Sequence, residues 1–246
     1  MSLSRKIRNR VRRINKRTLF SAESIRTLGE SLLAISKELS RMTQRGELRR
    51  YSNGVYYRPE QSRFGENGPS TEDVLRFLMY NKGKREGYVT GERTYNYLGL
   101  TTQIPSTITI ATNKIKRSGK FGRVMIHYVK SYAEPNEKNI PLLQILDTIK
   151  NIEHIQDASI SESLIILNGI IKNLSNERRS ELLVLVKKYP PKVRALTGLI
   201  VENVSYGYSR HLENLKSTII GRGKYYLRTR EIPFTNNANW NIYELA

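Results

Sequence analysis

The chain has 246 residues, no cysteine and a formal net charge of +20. Lack of cysteine excludes disulfides, thiolate metal sites and a cysteine nucleophile, and no apolar run approaches the roughly 18 residues that a membrane span needs. The basic N-terminus has neither the apolar core nor the cleavage site of a secretory signal, so a cytoplasmic protein without a membrane partner is expected.

The charge is unevenly placed. Residues 1–58 hold 15 Lys and Arg against 4 Asp and Glu, and the remainder holds 27 against 18. A clustered field of this kind attracts a polyanion and makes its binding depend steeply on salt.

Leu3, Ile7, Val11 and Ile14 recur at helical spacing through a run rich in Arg and Lys. The pattern predicts an amphipathic helix over 4–17, its narrow apolar stripe inward and Arg5, Lys6, Arg8 and Arg12 facing phosphates. Thr18, Leu19 and Phe20 read as a short strand. Ser21 has the chemistry of an N-cap before Glu23, Ile25 and Leu28, with Gly29 as a stop, so a helix is expected over 21–28. A further helix over 31–45 carries Leu32, Ile35, Leu39 and Met42 on an inward face and turns Leu33, Ala34, Lys37, Ser40, Arg41 and Gln44 outward. Gly46 closes it in the left-handed conformation.

Arg49-Arg50-Tyr51 and Val55-Tyr56-Tyr57 then flank Ser52-Asn53-Gly54, the signal of a tight hairpin. Helix, turn, helix and hairpin define a winged helix-turn-helix DNA-binding domain over 1–59. Its expected groove-facing residues are Ser31, Ser36, Lys37, Ser40, Arg41 and Gln44, while Arg49, Arg50 and Asn53 hold the DNA backbone through the wing.

Residues 60–69, with Gly65, Gly68 and Pro69, read as a linker. A second domain, 70–246, opens with a helix that carries Glu72 and Asp73 in its first turn. It continues through a short helix over 91–99 and two strands, 107–111 and 121–129, so that 70–135 forms a small α+β part. From 136 to 222 the periodicity is helical: Pro141 stands at a first helical position, Ser159 and Glu162 form a capping box, Ser175 caps another helix, Pro190-Pro191 breaks that one and starts the next, and a last helix is expected near 210–219. The tail, 223–246, contains a candidate strand over 223–232 and the single Trp240, expected to be docked. The fold class is therefore α+β, mainly helical.

No catalytic set stands out. His127, His154 and His211 lie far apart in unlike contexts, and neither a glycine-rich phosphate loop nor a paired-histidine helix is present. Gly119-Lys120-Phe121-Gly122-Arg123 is basic and glycine-flanked but reads as a hairpin turn. The chain is expected to be no enzyme and to use neither metal nor cofactor.

Several stretches together resemble the AbiEi-type antitoxins of bacterial type IV toxin–antitoxin, or abortive infection, systems. They are Ser2-Leu3-Ser4-Arg5-Lys6-Ile7, Leu39-Ser40-Arg41-Met42, Arg49-Arg50-Tyr51-Ser52-Asn53-Gly54-Val55-Tyr56 and Leu98-Gly99-Leu100-Thr101-Thr102-Gln103-Ile104-Pro105. The likeness is close over residues 1 to about 130 and looser through the helical region. It implies a transcription factor that represses its own operon by binding inverted repeats of operator DNA with its N-terminal domain. It also implies an antitoxin domain over 70–246 that counteracts a nucleotidyltransferase-like toxin without a stable complex. Where that family's wing carries an Arg before its Gly, this chain has Asn53. Two other readings use the same residues: binding of RNA or tRNA, with Tyr51, Tyr56 and Tyr57 stacking on unpaired bases, and direct binding of the toxin by residues 70–246.

Overall fold

A computed structural model describes residues 2–204, 210–219 and 223–245. The fold is mixed α+β, and the chain divides into two compact units. The first comprises Met1–Glu86 and Ser118–Ile126, the second Gly87–Arg117 and His127–Ala246.

In the first unit the Ser2 hydroxyl accepts the Arg5 N–H and opens helix α1 (Leu3–Arg13), which buries Ile7 and Val11 as the spacing predicts. Strands β1 (Phe20–Ser21), β2 (Arg49–Ser52) and β3 (Val55–Tyr57) form an antiparallel sheet in the order β1-β3-β2, with Phe20 opposite Tyr56. Helix α2 (Leu32–Gln44) buries Ile35, Leu39 and Met42. Gly46 (φ +77°) follows it, its N–H reaching the Thr43 carbonyl while the Glu47 N–H reaches that of Met42. These paired bonds satisfy carbonyls that the helix end would otherwise leave open. The core joins Ile7, Val11, Phe20, Ile35, Leu39, Met42, Leu48 and Tyr56.

The helix expected over 21–28 is absent, and the segment folds as successive turns with Leu28 fully exposed. Two side-chain interactions account for this. The Ser21 and Ser24 hydroxyls bond each other's backbone at 2.9–3.2 Å, a local closure that competes with helix. Arg10 then takes the Ile25 carbonyl at 2.6 Å, an acceptor that a helix would use, and grips Glu30 through both terminal nitrogens at 2.7 and 2.5 Å.

The expected linker contains an exposed hairpin, β4 (Glu60–Ser62) with β5 (Gly65–Asn67). Helix α3 (Thr71–Met79) starts at a reciprocal Ser70–Asp73 capping box, and strands β6 (Tyr80–Asn81) and β7 (Lys84–Arg85) make a second small hairpin.

The second unit begins with β8 (Gly87–Thr90), antiparallel to β9 (Thr107–Thr112), with helix α4 (Glu92–Tyr97) between them. Strands β10 (Gly119–Phe121) and β11 (Val124–Lys130) form a hairpin whose tip, 118–126, belongs to the first unit. The end of β11 lies beside β9. Helices α5 (Ile140–Lys150), α6 (Ile160–Lys172), α7 (Asn176–Val186), α8 (Pro191–Val204) and α9 (Arg210–Lys216) follow. The predicted caps at Ser159 and Ser175 and the early proline of α5 are in place. Helix α8 is buried along most of its length and packs on α5, α6, α7 and α9, which makes it the centre of this unit's core. In the tail, β12 (Tyr225–Leu227) pairs in parallel with β13 (Ile242–Glu244). Trp240 is completely buried, as its solitary occurrence near the end predicts; part of the strand expected over 223–232 is realised as β12.

Candidate nucleic-acid interface

The outward face of α2 is assembled as its periodicity requires. Ser31, Lys37, Ser40, Arg41 and Gln44 are exposed and Ser36 is half-buried. Leu33 stands among them, 66% exposed. Across the first unit, Arg5, Lys6 and Arg12 on α1 are exposed too, and none of these three pairs with an acid among the described residues.

Arg8 differs from them, because its Nε donates to Glu38 Oε1 at 3.0 Å. Glu38 is a carboxylate on the inward face of α2, only 3% exposed, and it gathers the guanidinium groups of Arg8, Arg45 (3.2 Å) and Arg41 (3.7 Å). Burial pushes its pKa up, but the hydrogen bonds from Arg8, Ser4 and Arg45 outweigh it and hold the carboxyl below the usual range. Glu30 is lowered further, to about 2, chiefly by its hydrogen bonds with Arg10. Charge in this unit is thus sorted: Glu30 and Glu38 hold Arg10, Arg8 and Arg45 between α1, α2 and the turns, Arg41 reaches Glu38 only at 3.7 Å with its side chain 65% exposed, and Lys37 and the outer α1 cations have no acid partner among the described residues.

The β2–β3 hairpin is present, with a different turn from the one Asn-Gly favours. Gly54 has φ +71°, Asn53 keeps a negative φ, and a register shift falls between Arg50 and Ser52. A type I′ turn would need positive φ at both central residues. Arg50 donates through Nη2 to Asn53 Oδ1, rigidifying the tip, and Arg49 pairs with Glu66 on β5 at 2.9 Å. Tyr56 is buried, and Tyr51 and Tyr57 are half-buried with their rings edge to face at 6.4 Å. Tyr56 packs in the core, whereas Tyr51 and Tyr57 are covered only in part.

A second site was illegible in the sequence. His127 and His154, remote in the chain, line one open cavity of about 370 Å³ in the second unit together with Lys130, Lys150, Tyr95 and Asp147. Asp147 is 5% exposed and accepts hydroxyl protons from Tyr88 (2.8 Å), Thr90 (2.9 Å) and Tyr189 (2.9 Å). Burial raises its pKa, with the three hydroxyls opposing. His211 lies elsewhere, on α9. No group of three or more His, Asp or Glu suited to a metal ion occurs among the described residues, and no helix there is long and apolar enough to cross a membrane.

Fold and surface together define a mixed α+β protein whose first unit exposes basic residues on α1, α2 and the β2–β3 hairpin. The chain belongs to a family of unknown function, DUF6088, whose model matches residues 6–177. No curated protein matches it. Among solved structures it is similar to the Rv2827c protein from Mycobacterium tuberculosis, at 11% identity and a TM-score of 0.53, over 98% of this chain and 90% of that one. A likeness at that identity is one of fold.

Proposed function

We propose that the chain is a DNA-binding antitoxin that represses its own operon. In this reading α1, β1, the turns over 22–30, α2 and the β2–β3 hairpin are a winged helix in which turns replace the middle helix. Helix α2 enters the major groove, the hairpin is the wing, and α1 adds phosphate contacts. The observation that carries the reading is the outward face of α2, where Lys37, Ser40, Arg41 and Gln44 stand exposed on a helix whose other face is locked into a core.

A mobility-shift titration tests it, using the DNA upstream of the chain's own gene with scrambled duplex and tRNA as competitors. The operator complex should survive both competitors and weaken with salt. Lys37→Ala and Arg41→Ala should each lose on the order of 1–3 kcal/mol where the side chain contacts a base. Equal loss to every polyanion would reduce the face to a basic surface, and unchanged affinity in both variants would put the reading on the wrong face of α2.

The antitoxin role rests on the resemblance of the four quoted stretches. The partner is a nucleotidyltransferase-like toxin, opposed in the cytoplasm through the second unit without a stable complex. Co-expression should rescue growth while co-purification recovers no toxin; a stoichiometric complex would favour direct binding instead.

A further inference from the structure

The basic turn Gly119-Lys120-Phe121-Gly122-Arg123 is held far more closely than a loose hairpin end requires. The Phe121 ring lies 5.5 Å from that of Tyr51 and stacks on that of Phe77 at 5.8 Å and 16°. Gly122 has φ +61°, and a Cβ there would lie 2.2 Å from Tyr51 Cε1. The tyrosine ring therefore rests directly on the glycine backbone, and only glycine permits both the conformation and the approach. This packing fixes the turn against β2, with Lys120 and Arg123 exposed.

Arg50 is the residue beside Tyr51 on β2. Arg50, Arg123, Tyr51 and Tyr57 line a single open cavity of about 440 Å³ within the first unit. Glu66 is the one acid among its described lining residues, and it is already paired with Arg49. Arg123 has no ion pair among the described residues, and Arg50 is bonded only to the neutral Ser52 carbonyl and Asn53 amide oxygen. Two guanidinium groups with a tyrosine pair between fixed hairpins make a cationic recess, and guanidinium forks match phosphate oxygens in geometry and charge.

We propose that this recess is a second nucleic-acid contact, which seats one backbone phosphate of duplex DNA between Arg50 and Arg123 and directs Lys120 to a neighbouring phosphate. The inference rests on the DNA-binding reading above and extends it from one hairpin to two. A phosphodiester suits the recess better than a free phosphate ion, because the cavity is open to solvent and lies beside the β2–β3 turn. The contact carries no base preference, since phosphates present the same oxygens in every sequence.

The test is fluorescence anisotropy of the full chain with the upstream duplex and with a scrambled duplex, across a series of salt concentrations. Arg123→Ala/Lys120→Ala should weaken both complexes about 3–10-fold and flatten the dependence of log K on log salt by about 1–2. Arg50→Ala should flatten it by about 1, and Lys172→Ala, exposed on α6, should leave it unchanged. Gly122→Ala, which unseats the turn, should reproduce the loss; the two surface variants decide the matter if it fails to fold. Affinity and salt slope unchanged in Arg123→Ala/Lys120→Ala while the wild type binds would overturn the second contact alone. Wild type that binds operator and scrambled duplex alike would sink the repressor reading yet leave the phosphate recess standing if the slope falls. Loss of binding to millimolar inorganic phosphate at constant ionic strength would show a free-phosphate site and overturn the duplex assignment.

Discussion

At the scale of single residues, the first unit's most consequential side chain is the one that breaks the apolar pattern of its own face. Glu38 falls between Ile35 and Leu39, where periodicity calls for a hydrophobe, and meets Arg8, Arg45 and Arg41. Removing one partner of a buried ion cluster costs more than a surface pair is worth. The arginines are 40–65% exposed, so water relieves part of that cost, and Glu38→Gln should destabilise by about 2 kcal/mol at neutral pH. Because the folded carboxyl titrates below its unfolded value, its contribution is complete above the ordinary glutamate range and disappears as pH falls through the folded pKa. Urea unfolding of wild type and Glu38→Gln should show a gap near neutrality that narrows by about pH 3. A gap that widens in acid would mean the carboxyl is not held in its charged form.

Elements show where sequence and structure part. Helices α1 and α2 were legible because a long apolar stripe outweighs every local preference; α2 runs Leu32–Gln44 against the expected 31–45. The segment 22–30 was not, since its fate depends on Arg10, which lies in the preceding helix and claims Ile25 and Glu30. Strands of two to four residues such as β4, β5 and β8 offer too little alternation to read. The outward-facing residues of α2 could be named from spacing, whereas the recess at Arg123 and the cavity at Asp147 depend on contacts across tens of residues. In the tail, a Cβ on Gly198 of α8 would lie 2.1 Å from Trp240 Cζ3, and the indole N–H donates to Glu202 at 2.9 Å. Gly198→Ala should displace the indole, redshift its emission and cost about 1–3 kcal/mol. An unshifted spectrum with full stability would show that α8 and the tail yield without strain.

For the whole molecule, each unit has its own hydrophobic core, one centred on α1 and α2 and the other on α8. Trp240 is the only tryptophan, so its fluorescence follows the second unit alone, while far-ultraviolet dichroism follows both. Glu38→Gln should therefore move part of the dichroism transition to lower denaturant and leave the fluorescence midpoint in place. Coincident shifts by the two probes would instead establish a single cooperative transition.

The units are also interleaved along the chain, for the first is completed only when residues 118–126 have been made. No single crossover between two related genes can exchange one unit cleanly for another. A breakpoint near residue 86 would join one parent's Tyr51 to the other parent's Gly122, and any larger residue at that position would meet the ring. The two units are thereby tied in descent: a lineage that changes the first unit wholesale must recombine twice or inherit both halves together.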